Sequence, residues 1–192
     1  MERSETKATY CRTWVLIAEG WIEKIGDSTE AVRCMKKAEE QAKDWADWKK
    51  VAEAWVEKNN ELDVARSRME RAESMAKWSR NWISLACTWK ESFFDFGKAN
   101  QCMEKARELA EDSDDWKGMA KSWMNVFDDS AQARRCMERA EELAEGSDDW
   151  KDMAESWRDV FGDSAQELRC MERAESMAAD EENDYDEDDD DD

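Results

Sequence analysis

Apolar residues recur along this chain at spacings of three, one and three, with polar positions between them. The pattern reads Trp14-Ile17-Ala18-Trp21, then Trp48-Val51-Ala52-Trp55, Trp82-Leu85-Ala86-Trp89, Trp116-Met119-Ala120-Trp123 and Trp150-Met153-Ala154-Trp157. On a helix of 3.6 residues per turn this spacing draws one apolar stripe. A second pattern follows in Ala31-Met35-Ala38, Ala65-Met69-Ala72, Ala99-Met103-Ala106 and Ala133-Met137-Ala140. It predicts a second amphipathic helix, whose alanines let a neighbouring helix approach closely. No alternating β-branched run competes with helix, so the expectation is all-α, with five helix pairs.

Ten of the twelve tryptophans fall on one lattice with a period of 34 residues. A fixed period of this length is the mark of stacked repeats, each burying its apolar face against its neighbours. Repeats four and five, from Ser113 and Ser147, agree at 23 of 32 aligned positions, as after duplication of a whole unit. Ser113 is expected to cap its helix, with Asp114 and Asp115 at the positive end of the dipole. Asp129 with Gln132, Asp163 with Gln166 and Asp27 with Glu30 have capping-box spacing for the second helices. The array is expected over residues 11–179, with a lead-in at 1–10 and a disordered acidic tail at 180–192.

A 34-residue helix–turn–helix carrying Trp, an aliphatic at +3, a small residue at +4 and an aromatic at +7 resembles the tetratricopeptide repeat. The second-helix Ala-Met-Ala triplets are similar to the family's pattern, although they sit one residue later and the closing proline is missing. The resemblance implies a TPR-like α-solenoid that acts as a scaffold or adaptor without catalysis. It implies a concave groove, lined by the first helices, that receives a peptide or partner protein. By position, that groove would contain Arg12, Val15, Glu19 and Ile22 of repeat one, and Lys49 with Glu53 of repeat two. Repeat three would add Arg80, Ile83, Cys87 and Lys90. Repeats four and five would add Lys117, Lys121, Met124 and Asn125, then Lys151, Glu155 and Arg158. The lysine–asparagine clamp that some members use for a C-terminal carboxylate is not reproduced at Lys49/Glu53 or Lys117/Lys121.

Charge changes the picture only at one end. The net charge is -21, but residues 180–192 hold eleven carboxylates and no base, so the body carries about -10 with both signs interleaved. That distribution offers no basic footprint for nucleic acid and disfavours anionic lipid. A second functional reading is an acidic inhibitor or nucleic-acid mimic. Interleaved pairs such as Arg134 and Glu138 weaken its field. No apolar run is long enough to span a bilayer and the start lacks a secretion signal, so the expected location is cytoplasmic.

Candidate chemistry is sparse. The chain has no histidine, no phosphate-cradling glycine loop and no cysteine pair at zinc-knuckle spacing, so no catalytic, metal or cofactor site is expected. Cys34, Cys102, Cys136 and Cys170 share one repeat position. On successive helices about 10 Å apart they are too distant for a disulfide and read as small buried apolar groups. Cys11 and Cys87 fall outside that series. The first repeat places Val15, Leu16 and Ile22 where later repeats are mostly polar, which suggests self-association or partner binding through that end.

Overall fold

The computed structural model describes residues 10–59 and 61–187, and these form helices and turns with no strand. Among the described residues ten α-helices follow in order: α1 (Cys11–Gly20), α2 (Ser28–Gln41), α3 (Trp45–Asn59), α4 (Leu62–Met75), α5 (Ser79–Glu91), α6 (Phe96–Glu108), α7 (Ser113–Asn125), α8 (Ser130–Glu142), α9 (Ser147–Ser156) and α10 (Ser164–Glu187). Two π-helical turns, Trp21–Ile25 and Trp157–Phe161, extend α1 and α9. The chain divides into two compact units, Met1–Lys105 and Ala106–Asp192, and the boundary falls within α6.

In the first unit α1 pairs with α2 and α3 with α4. Each later first helix, α3 and then α5, packs on both helices of the repeat before it. The second unit repeats the arrangement, with α7 on α8, α9 on α10, and α9 against both α7 and α8. The sequence stripes become the core: Val51, Ala52, Trp55, Leu85, Ala86 and Trp89 are buried in one unit, and Met119, Ala120, Trp150, Met153 and Trp157 in the other. The small Ala65 and Ala72 flank a fully buried Met69 on α4, and Ala133 and Ala140 flank Met137 on α8. Alanine brings the helices close while methionine fills the irregular gap between them.

The helix ends differ in detail from the expected capping. Asp129, Asp163 and Asp27 do accept from the backbone N–H groups of Gln132, Gln166 and Glu30, at 3.0, 3.3 and 3.1 Å. The other half of the expected box is replaced, because each aspartate's own N–H donates to the carbonyl of the preceding lattice tryptophan: Asp27 to Trp21, Asp129 to Trp123 and Asp163 to Trp157. Ser113 is not the cap of α7. Asp112 takes that role, accepting from Asp115 N–H at 2.8 Å, and Ser113 lies buried in the first turn. Asp115 reaches back to the N–H of Glu111 at 3.1 Å, which satisfies a second donor at that end.

One boundary differs from the expectation. The backbone of α10 is helical to Glu187, past residue 180, where the disordered tail was expected to begin. Extending a formed helix adds one hydrogen bond per residue fixed, and Ala178, Ala179, Glu181 and Glu182 are good helix formers. Residues 188–192 of the tail, and 1–9 of the lead-in, lie outside the described residues. Val15 is fully buried rather than part of an apolar surface, while Leu16 is exposed and Ile22 half-buried.

At the turn between paired helices the backbone passes through the left-handed region, at Gly26 (φ 77°), Asp128 (φ 56°) and Gly162 (φ 62°). Phe94 occupies that position in repeat three with φ 53° and is 75% exposed. A bulky L-residue there costs about 1 kcal/mol, and so little of the ring is buried that packing offsets it poorly. Phe94→Gly is therefore expected to raise the melting temperature by about 2–4 °C. Thermal denaturation followed by circular dichroism checks it, and a lower melting temperature would mean the ring packs more than its exposure implies.

Candidate partner-binding cleft

The second unit contains a cleft of about 480 Å³ between α7 and α9 with its π turn. Lys117, Gly118, Lys121 and Asn125 form one wall, with Lys117, Lys121 and Asn125 about one helical turn apart in succession. Asp152, Glu155, Ser156, Asp159 and Val160 form the other. Gly118 has no side chain, so that wall is recessed where the other repeats place Leu16, Lys50, Ser84 and Asp152. The π turn at Trp157–Phe161 widens the helix locally, at the level of Asp159 and Val160.

The cleft carries both signs of charge. Lys117 is only 11% exposed and bridges the walls, with its Nζ 2.7 Å from Asp114 and 3.8 Å from Asp152. Lys121 and Asn125 are exposed, as are Asp152, Glu155 and Asp159 opposite them. The residues thus offer ammonium and carboxamide donors on one side and carboxylate acceptors on the other. An extended backbone, or a side-chain row of alternating charge, could satisfy both walls at once.

The structure brings Lys117, Lys121 and Asn125 together, with Glu155 opposite. Lys151 pairs with Asp148 at 2.8 Å, and Arg158 with Asp159 at 3.0 Å and Glu167 at 3.3 Å, so neither lines the cleft. Val15 and Ile83 are buried. Val15 is covered because α3 packs on α1, placing this repeat position beneath the next first helix. Lys49 shares that position and is tied into a half-buried node: its Nζ lies 2.9 Å from Glu53 and 3.4 Å from Thr88, whose hydroxyl also donates to Glu53 at 3.1 Å. Arg12 and Arg80 are exposed and Glu19 and Ile22 half-buried, while Lys90 lies over the Phe96 ring at 5.6 Å. The aspartates on the α9 wall were missed. Their signal was the acidic excess at positions 152, 155 and 159, opposite the basic positions of the preceding repeat.

A second recurring arrangement joins successive repeats. The indole N–H of Trp55 donates to Glu39 at 2.9 Å, that of Trp89 to Glu73 at 2.6 Å, and that of Trp157 to Glu141 at 2.7 Å. A cation from the following second helix completes each node: Arg68 on Glu39 at 2.8 Å, Lys98 on Glu73 at 3.5 Å and Arg169 on Glu141 at 2.6 Å. Arg134 was expected to pair with Glu138 along its own helix. It reaches instead to Asp163 at 3.3 Å and lies over the rings of Trp157 and Phe161. Arg66 does the same with Asp95, Trp89 and Phe93 in the first unit.

All six cysteines are free thiols. Burial, reinforced by nearby carboxylates, pushes Cys11 and Cys102 up to about 12, and burial pushes Cys136 up to about 11. These groups are protonated at neutral pH and poor nucleophiles. Cys11 donates weakly to the carbonyl of Asp47 at 3.8 Å. Among the described residues no acidic or thiol cluster could hold a metal ion, and no helix is long and apolar enough to cross a membrane. Compared with known proteins, the chain matches no family model, and no curated protein is significantly similar to it.

Proposed function

We propose that this chain is a non-enzymatic interaction module of tetratricopeptide-like repeats, which binds a peptide or partner protein in the cleft between α7 and α9. The observation that carries the reading is the recessed wall at Gly118, set between Lys117, Lys121 and Asn125 and faced by Asp152, Glu155 and Asp159. A ligand of alternating charge matches it better than a uniformly acidic or basic one. Buried, protonated thiols and the absence of histidine from the sequence support a binding role in a reducing, cytoplasmic setting rather than catalysis. The acidic-mimic alternative is weakened because body carboxylates such as Glu39, Glu141 and Asp163 are paired with arginines.

Gly118→Leu tests the proposal. Leucine fills the recess while improving helix propensity by about 1 kcal/mol, so binding and stability are expected to move in opposite directions. Peptides selected from a displayed library on the wild-type chain should lose about tenfold or more in affinity on the variant, whose melting temperature holds or rises. Selected peptides that bind both chains equally would place recognition elsewhere and overturn this reading.

A further inference from the structure

Two of the twelve tryptophans, Trp45 and Trp78, lie off the 34-residue lattice, and the fold brings both to one cleft. The cleft has a volume of about 430 Å³ and lies within the first unit. It forms where the start of α3 meets the end of α4 and the start of α5. Trp45 is half-buried and Trp78 is 58% exposed, and the half-buried Met75 adds to the apolar lining. Lys43 and Lys77, both exposed, line the cleft as well.

Repeat packing does not call for these residues. The position of Trp45 holds Ser79, Ser113 and Ser147 in repeats three to five, and that of Trp78 holds Asp44, Asp112 and Gly146 in repeats two, four and five. Asp44 and Asp112 cap their helices, accepting from the N–H groups of Asp47 and Asp115 at 2.9 and 2.8 Å. An indole offers no such acceptor, and α5 starts without a side-chain cap at that position. The charge changes in the same place. Lys43 and Lys77 share the position of Glu111 and Glu145, and Asn81 stands where repeats two, four and five have Asp47, Asp115 and Asp149. Asn81 keeps the backbone role of those aspartates: its carbonyl oxygen accepts from the N–H groups of Lys77 and Trp78, each at 3.1 Å. Asn81 is 4% exposed, and its NH₂ group is left as a donor in the cleft lining. The carboxylate of Asp44, which also lines the cleft, is engaged in capping α3.

We propose that this cleft is a second binding site, which takes an aromatic side chain of an acidic peptide from a partner protein. The ring packs against the indoles of Trp45 and Trp78. Carboxylates beside it in the peptide meet the ammonium groups of Lys43 and Lys77 and the carboxamide of Asn81. The exchange of aspartate for asparagine at position 81 removes the charge that would repel such a ligand, and the exchange of glutamate for lysine at positions 43 and 77 supplies the charge that attracts it. This preference differs from that of the α7–α9 cleft, whose walls carry both signs of charge.

Random displayed peptides selected on the full chain, with Trp78→Asp as the counter-selecting bait, provide the test. Peptides that bind wild type and not the variant should share an aromatic residue flanked by acidic ones. Trp78→Asp restores the cap that repeats two and four possess, so its melting temperature should hold or rise while binding is lost. Asn81→Asp keeps the backbone acceptor, as Asp47 and Asp115 do, and should weaken the selected peptides about tenfold by returning a carboxylate to the cleft. Lys43→Glu/Lys77→Glu, at two exposed positions, should abolish their binding with helical content unchanged. A basic or uncharged consensus, or no peptide that tells wild type from Trp78→Asp, would overturn the proposal. Displacement of the peptides by free phenylacetate at matching concentration would assign the cleft to a small aromatic anion and overturn it too. So would a wild-type mass above that of the monomer in sedimentation that Trp78→Asp lowers, which would assign the cleft to a second copy. Gly118→Leu should leave these peptides' affinity unchanged, so this inference and the α7–α9 reading fail separately.

Discussion

Ala133→Glu is expected to destabilise the second unit by about 3–5 kcal/mol, whereas Glu167→Ala, its mirror image one repeat later, should change stability by less than about 1 kcal/mol. The two residues hold the same position on α8 and α10. Ala133 has no exposed surface and lies where α7 and α9 close on α8. A glutamate there must either bury an unpaired carboxylate or force the helices apart, and both routes are costly. Glu167 sits on the open face of α10, paired with Arg158 at 3.3 Å in a half-exposed setting that contributes little. Urea titration followed by tryptophan fluorescence reads both variants, since Trp150 and Trp157 are buried in the same unit. Equal, small effects would mean that the alanine is not held by repeat packing.

The contrast between these two positions shows how much of the fold was legible in the sequence. Periodicity alone locates the helices, because a stripe at spacings of three, one and three has one way to be buried. The period of 34 gives Met137 and Met69 the same position on their helices, and both could be read as core from the sequence pattern. Their cap residues were partly legible. Asp129 and Asp163 were recognisable as caps, but the tryptophan carbonyls that take their N–H groups depend on turn geometry that no local pattern encodes. The shift from Ser113 to Asp112 at α7 is a one-residue matter of where the chain leaves the helix.

The candidate site was less legible, for a physical reason. A groove position inferred from one helix face says nothing about how far the next first helix covers it. Val15 is covered, Lys49 half-covered and locked to Glu53 and Thr88, and Lys151 open, although all three share one position in the repeat. What differs is the neighbour, not the residue's own helix. The cleft at Lys117, Lys121 and Asn125 forms because Gly118 withholds a side chain and α9 supplies three carboxylates opposite. The glycine was visible in the sequence, but a lone glycine in a helix carries no signal until its facing wall is known.

The glutamate–tryptophan nodes should account for much of the coupling between repeats, and Glu141→Ala is expected to cost about 2–3 kcal/mol. Trp157 is 2% exposed and its indole N–H has Glu141 as acceptor at 2.7 Å, so the variant strands a buried donor. Arg169 also loses its partner, but its side chain is more than half exposed and water takes over most of that role. Glu141→Gln retains a carbonyl acceptor for the indole and should cost only about 1 kcal/mol. The decisive comparison is a double-mutant cycle. In a Trp157→Phe background, where no indole donor remains, Glu141→Ala should become cheaper by about 1–2 kcal/mol. Glu175→Ala, at the same repeat position but exposed on α10, should change stability by no more than about 0.5 kcal/mol. Chemical denaturation of the four cycle members, with Glu175→Ala as the control, measures the coupling directly. A coupling near zero would assign the cost of Glu141→Ala to Arg169 or to helix propensity and remove the node from the account of how repeats hold together.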